Sequence, residues 1–423
     1  MKRILLTLFA CFFVSYLSAA EWNQWRGPDH DGISKETGLL KSWPQDGPRL
    51  LWRQENIGLG YSNFSFSGGK IYSMGDFGDD CCLYALDEKT GKGIWRIKVG
   101  KAGASQGNGF PGSRCTPATD GKLVFALGQF GDFVCADAET GKEYWRCNVE
   151  RDLGGHVMLN KGDTGIHWNF SMSPILDGDR IVMPIGGKAG TVVAWEKSKK
   201  GPKIIWRSRE LTDAAPYTSV VPMDFGGVPQ YLVFTDKRLA GLDAKTGKVL
   251  WQADRPGNVA VCSDPVYWMD GENTCYIIVS SAYGVGAHGF KVTTSDGKFS
   301  AERIYADSKL ENHHGGIVQV DGHFYFLTQR ECVCVDPKTG KTLWNHRSVG
   351  KGSVSAADGR LILRAEKGDG EIALVEPSPD GYKEISRFAQ PDRTDKNSWV
   401  YPTVYGGRLY IRDQGLLLCY EVK

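Results

Sequence analysis

Long apolar runs are missing from this 423-residue chain once its first twenty residues are passed. No later stretch approaches the ~18 consecutive apolar residues that a membrane-spanning helix needs, which excludes a helical membrane protein. A dominant charge is missing as well. Lys and Arg number 51 against 49 Asp and Glu, and setting Lys2 and Arg3 aside leaves 49 basic residues to match the acids. Such a chain has no global field to attract nucleic acid or an anionic membrane, so no nucleic-acid partner is expected. Methionine is scarce at 7 residues while glycine reaches 53, a balance that favours turn-rich β structure. There is no G-x-x-x-x-G-K-[ST] phosphate loop, no H-E-x-x-H and no paired C-x-x-C, which removes the usual nucleotide, zinc-protease and zinc-ribbon chemistries. The two literal G-x-G-x-x-G matches, Gly107 to Gly112 and Gly284 to Gly289, do not open a helix after a strand. They are read as loops between blades of a repeat structure.

What is present begins with Lys2-Arg3, an apolar run from Ile4 to Tyr16, and the small residues Ser18-Ala19-Ala20 ahead of Glu21. A basic start, apolar middle and small-residue end make a secretory signal over 1–20, cut after Ala20, and place the mature protein in the periplasm or outside the cell. A buried first helix would not need the charged start, and a lipid anchor at Cys11 would leave too short an apolar stretch ahead of it. An oxidising compartment permits disulfides among the ten cysteines other than Cys11, but a chain this long does not need them. The rest divides into an N-terminal extension, 21–48, and a repeat region, 49–423.

The repeat is the strongest signal. Small-x-Asp-x-x-Thr-Gly-Lys-x-x-Trp occurs at Ala85 to Trp95, Cys135 to Trp145, Gly241 to Trp251 and Cys334 to Trp344. Each copy reads as a strand, a turn in which Asp87, Asp137, Asp243 or Asp336 bonds backbone amides, a glycine free to take positive φ, and a second strand carrying the Trp. Degenerate copies follow at Val193 to Trp206, Phe290 to Tyr305 and Ile372 to Phe388. Leu417 to Glu421 is a lone third strand and Leu50-Leu51-Trp52 a lone fourth, and joined they make an eighth unit. Upstream of the hairpins lie further strand pairs, as at Pro117 to Phe125 and Pro402 to Tyr410. Four strands in roughly fifty residues is the arithmetic of a propeller blade. The expectation is an all-β, eight-bladed propeller of four-stranded antiparallel blades, closed by pairing the strand around Trp52 with the C-terminal strands. A flat array or a two-sheet sandwich would not explain complementary half-units at the two chain ends.

These hairpins resemble the tryptophan-docking repeat of the PQQ-binding-like propeller family, from about Trp52 to Lys423. The resemblance implies that Trp52, Trp95, Trp145, Trp206, Trp251 and Trp344 pack between neighbouring blades as structural docking residues, not ligand contacts. Cys135, Cys334 and Cys419 fill the small-residue slot held elsewhere by Ala85 and Gly241. Two branches of the family share this repeat. Quinoprotein dehydrogenases hold PQQ and calcium in the channel and oxidise alcohols or sugars through an Asp base, whereas cofactor-free propellers of the BamB kind act as binding platforms. Cys81-Cys82 is similar to the adjacent-cysteine disulfide of the alcohol-oxidising branch. Here it leads directly into Leu83 to Leu86, where successive side chains face opposite ways, and no bridge is expected.

In a propeller, the segment joining one blade's outer strand to the next blade's inner strand ends on the face where the channel opens. Applied to each blade, that rule collects Tyr61, Arg114, His167, Trp168, Asn169, Tyr217, His313, His314 and Trp399 with Tyr401 around one funnel. Trp168 or Trp399 offers a stacking surface, and Arg114 or His314 a partner for an anionic or carbonyl group. The plainer alternative is that these residues satisfy loop backbone and fill the ring's centre. A calcium–PQQ site would need a carboxylate, an amide oxygen and an Asp base, for which Asp236, Glu311 with Asn312, and Asp395 with Asn397 are candidates outside any recognisable motif. No spacing supports a metal at His167, His313 and His314. His30, His323 and His346 are expected at the surface. The reading is a monomeric exported propeller that binds a small ligand, a glycan or an envelope protein without a metal or cofactor. The alternative is a PQQ- and calcium-dependent alcohol or sugar dehydrogenase.

Overall fold

Short apolar runs separated by tight turns leave the backbone one local way to satisfy its hydrogen bonds, which is for each run to pair antiparallel with the next. The computed structural model describes residues 22–104, 110–160, 166–257 and 259–423, so the expected signal segment lies outside the described residues. All regular elements among them are strands, gathered into eight sheets. Blades 1 to 7 cover 65–101, 118–148, 175–207, 221–254, 266–307, 317–346 and 352–388, each with its strands in chain order. Blade 8 is composite: Thr403–Tyr405, Arg408–Asp413 and Leu416–Glu421 receive Leu50–Gln54 as an antiparallel outer strand, with Trp52 opposite Cys419. The ends of the repeat region thus close the ring. Gly284 to Gly289 proves to be a hairpin inside blade 5 and not a connection between blades, because Gly286–Ser295 pairs with Thr274–Ser281 from the same blade.

The docking hairpins form as their sequence dictates. In all four, the Asp Oδ1 accepts from both the backbone N–H and the hydroxyl of the Thr three residues on, at 2.6–2.8 Å. The Trp then reaches the following blade. Trp95 Nε1 donates to Ala138 O and Trp206 Nε1 to Ala244 O, both at 3.2 Å, while Trp145 and Trp344 donate to Ser198 O and Ser378 O at 2.7 Å. The Trp95 and Trp206 rings lie against the next turn's glycine, Gly141 and Gly247. A Cβ at Gly247, which has φ +73°, would fall 2.3 Å from the Trp206 ring. Trp52 covers Gly91 in the same way, and Tyr305 stands in for Trp over Gly340. Trp251 differs from these in its hydrogen bond: its Nε1 donates to Gln230 Oε1 within its own blade at 2.8 Å. The next blade turns through Asp296-Gly297 between Gly286–Ser295 and Lys298–Asp307, without the Asp-x-x-Thr-Gly turn that offers the carbonyl elsewhere. The described cysteines are unpaired, Cys81 and Cys82 among them, and Cys135, Cys334 and Cys419 are buried in the small-residue slot.

The segment before the repeats does not hang outside the ring. Trp22 O accepts from Phe66 N in blade 1, Asn23 O from Thr119 N in blade 2, and Gln24 Oε1 from Leu176 N in blade 3. Arg26 donates to Ile317 O in blade 6, Gly32 O accepts from Ala356 N in blade 7, and Ile33–Ser34 adds to Gly352–Ala357 as a parallel fifth strand. Because the first strand of each blade borders the axis, residues 22–34 occupy the channel. His30 is consequently buried at 4% exposure, not at the surface, and burial beside the Arg26 guanidinium pushes its pKa down to about 4.

Candidate ligand-binding cavity

Two residues before each first strand stands a position with a shared task. At Asn63, Thr116, Ser173, Ser219 and Asp264 a side-chain oxygen can face the preceding blade. Thr116 Oγ1 accepts from Asn63 N at 3.1 Å, Ser173 Oγ from Thr116 N, Ser219 Oγ from Ser173 N, and Asp264 Oδ1 from Ser219 N, each at 2.9 Å. Thr403 Oγ1 donates to Asn63 Oδ1 and extends the relay back to blade 8. This belt stitches the inner edges of blades 8 and 1 to 5. Toward blades 6 and 7 the corresponding positions are Gly315 and Gly350, and beside Gly315 the Arg26 side chain enters instead: a Cβ on the adjacent Gly316 would sit 2.8 Å from Arg26 Nη1.

Above the belt the inter-blade connections enclose a cavity of about 840 Å³, part of it open to solvent. Its floor is Trp25 against Tyr401, ring centroids 5.0 Å apart, with Trp25 Nε1 donating to Asp264 Oδ2 at 2.5 Å. The wall is an arc of rings. Tyr61 stacks on Trp399 at 4.1 Å, Trp399 meets His314 at 4.6 Å, His314 meets His313 at 4.3 Å, and His313 meets Tyr283 at 5.1 Å and Trp168 at 5.9 Å. Tyr217 closes the arc 5.2 Å from Trp168 and fixes it, since the phenol oxygen accepts from Trp168 N and Asn160 Nδ2 while donating to Met158 O.

Eight residues expected at the funnel therefore meet there: Tyr61, Arg114, Trp168, Tyr217, His313, His314, Trp399 and Tyr401. His167 and Asn169 do not. They flank Trp168 on the chain but are absent from the lining; the His167 Nδ1 instead accepts from Asn169 N, and Asn169 is buried with φ +60°. Phe110, Cys262, Asp264, Tyr283 and Trp25 line the cavity without having been singled out in the sequence. Asp264 could have been found from its place in the belt register. Trp25 could not, because its partner is 239 residues away.

Burial sets the charge states. Desolvation pulls His313 down to about 3 and His314 well below its ordinary value, with Lys351 adding repulsion, so both imidazoles are neutral near pH 7. Lys351 Nζ donates to His313 Nδ1 at 3.4 Å and pairs with Glu366 at 3.1 Å behind the wall. Burial pushes the Cys262 thiol up to about 12, which leaves it protonated and a poor nucleophile. Asp264 is raised by burial in spite of its two donors. Arg114 is lowered by burial but, as a guanidinium, stays charged. It donates to Gly112 O and Phe110 O and lies 5.4 Å from the Tyr61 ring. Among the described residues it forms no ion pair.

The donor set does not suit a calcium-bound quinone. Asp236, Glu311, Asn312, Asp395 and Asn397 all lie outside the cavity lining, and Asn312 spends its amide N–H groups on Gly316 O and Leu327 O. Asp264 is the lone carboxylate in the lining, and no cluster of metal-ligating side chains occurs among the described residues. Nor is any helix there long and apolar enough to cross a membrane.

Comparison with known proteins yields a family and a fold. No protein of curated function matches. Among solved structures, the quinohemoprotein alcohol dehydrogenase of Comamonas testosteroni superposes with a TM-score of 0.68 at 11% identity, over 95% of this chain and 80% of that one. Quinohemoprotein alcohol dehydrogenase ADHIIG of Pseudomonas putida HK5 gives 0.65 at 13% identity over 96% and 80%, and the computationally designed protein Ika8 gives 0.55 at 11% over 88% and 100%. Identities this low show the shared architecture and carry no activity across. The family model described as outer membrane protein assembly factor BamB matches residues 79–287 and 293–420, which takes in most of the ring. The chain belongs to that family of PQQ-like, eight-bladed propellers.

Proposed function

We propose that this protein is an exported receptor for a small ring-shaped polar molecule, held in the cavity at the channel mouth. The observation that carries the reading is the aromatic arc from Tyr61 through Trp399, His314 and His313 to Trp168, closed below by Trp25. Aromatic rings in contact around a concave space, interrupted by a few polar groups, are the usual composition of a small-molecule site. The export signal read at 1–20 supports an activity outside the cytoplasm. With Asp264 the one carboxylate among the described lining residues, the reading favours binding over turnover.

Tryptophan fluorescence tests this directly. A panel of monosaccharides, cyclic acids and PQQ with and without calcium is titrated into the mature protein and into Trp168→Ala and Trp399→Ala. Saturable quenching by a ring ligand, weakened at least tenfold in both variants, is expected. Tight PQQ binding with dye-linked oxidation of alcohols or sugars would replace the receptor by a dehydrogenase. If no member of the panel binds, the function moves from the cavity to the blade edges and a protein partner.

A further inference from the structure

The cavity contains a cation with no counter-ion among the described residues, and it is closed below. Arg114 uses two N–H groups on the carbonyls of its own loop, and the carboxylate that shares the lining, Asp264, is spent on Trp25 and Ser219. Arg114 is half-buried, and the remaining N–H groups of a guanidinium partly withdrawn from water without an anion are matched best by a carboxylate. The other polar groups are of a different kind. His313 and His314 are neutral; the His313 Nδ1 already accepts from Lys351, which leaves its other ring N–H to donate, and the His314 Nε2 has no hydrogen-bond partner among the described residues. Neutral hydrogen-bonding groups suit hydroxyls, not a second charge.

The mouth adds a further requirement. Residues 22–34 block the channel below, and the floor of Trp25 and Tyr401 ends the cavity. Above it, Phe110 and Tyr283 stand 47% and 51% exposed on the cavity rim, an unusual state for large apolar and aromatic side chains that line one opening. A free monosaccharide would be swallowed by the cavity and leave this rim idle. A chain with one end inside would run across it.

We infer that the ligand is the end of an acidic oligosaccharide, its terminal uronic-acid ring stacked in the aromatic arc with the carboxylate on Arg114 and the next rings lying against Phe110 and Tyr283. This rests on the receptor reading above and deepens it. Entry is end-on, because the N-terminal segment leaves no exit for a threaded chain.

Isothermal titration of the mature protein at low salt separates the parts of this inference with four probes: D-galacturonate, D-galactose, benzoate and a linear tri-galacturonate. Galacturonate is expected to bind at least tenfold tighter than galactose. Arg114→Gln should weaken galacturonate about ten- to hundredfold and galactose little, with Arg114→Lys intermediate. The trimer should bind tighter than the monomer, and Tyr283→Ala should remove that advantage. Equal binding of galacturonate and galactose would overturn the carboxylate assignment while leaving the receptor reading in place. Benzoate binding as tightly as galacturonate would overturn the sugar class. A trimer no better than the monomer would overturn end-on docking, and binding of none of the probes, with melting temperatures unchanged, would take both readings down.

Discussion

The ring is held together twice, at its rim and at its mouth, by opposite means. At the rim, Trp95, Trp145, Trp206 and Trp344 each lay an indole on the next blade and donate one hydrogen bond to its turn, so the stabilisation is mostly apolar area with a single polar direction-finder. At the mouth, blades are joined by the belt through Thr116, Ser173, Ser219 and Asp264 and by a segment threaded through the channel, nearly all through hydrogen bonds to backbone. Hydrophobic packing tolerates repetition because it is non-directional, so the same eleven residues serve repeatedly. A polar mouth can differ from blade to blade and still be satisfied, which leaves room for a cavity.

The largest test of that contrast is at the rim. Trp206→Ala would remove an indole that is only 8% exposed, together with its bond to Ala244 O, and leave an interblade void over Gly247. A loss of about 3–5 kcal/mol is expected in chemical denaturation, with ligand affinity of the folded fraction unchanged. A loss below about 1 kcal/mol would mean the docking ring is decoration and the mouth carries the fold.

A second test addresses the channel segment and its pH response. The His30 pKa is depressed to about 4, so its contribution to stability is fully present above pH 6.5 and is lost as pH falls from 6.5 toward 4. At about 1.4 kcal/mol per pH unit the full loss approaches roughly 3 kcal/mol. His30→Asn keeps a residue type that tolerates the local φ of +56° and cannot titrate. Denaturation midpoints measured from pH 7.5 to 4.5 should fall less steeply in the variant. His313, His314 and His288 are depressed too and will leave a residual slope in both proteins. Parallel curves would show that protons enter elsewhere and that the plug is not the acid-sensitive part.

The difference between rim and mouth also governs how far the sequence could be read. The rim repeats, so Asp87, Asp137, Asp243 and Asp336 announce themselves by spacing, and the composite blade follows from Trp52 and Cys419 lying at the chain's two ends. Trp251 shows what spacing leaves open: its indole is buried against Gly241, but its hydrogen-bond acceptor depends on the neighbouring blade's turn, and that turn is Asp296-Gly297. At the mouth, propeller geometry alone collected Arg114, Tyr217, His314 and Trp399, since it states where connections end. It misplaced His167 and Asn169 because side-chain direction in an irregular connection has no period. It missed Trp25 and the burial of His30 because nothing local tells a channel-filling segment from a solvent-exposed extension.

The smallest effect makes the sharpest comparison, because it sets one threonine of the mouth against one of the rim. Thr116 Oγ1 accepts the Asn63 N–H at 3.1 Å with both residues buried, and Thr140 Oγ1 donates to Asp137 at 2.8 Å in an exposed turn. Valine is nearly isosteric with threonine at either position, so each substitution removes a hydroxyl with little change of volume. At Thr140, water replaces what is lost, and a cost of no more than about 0.5 kcal/mol is expected. At Thr116, water cannot reach the orphaned Asn63 N–H, and the cost should be about 1–3 kcal/mol. The two variants are compared by denaturant midpoint under one set of conditions. Equal costs would mean that water reaches the belt, in which case the floor it supports under Trp25 is not dry and the charge states assigned to Arg114, His313 and His314 would have to move with it.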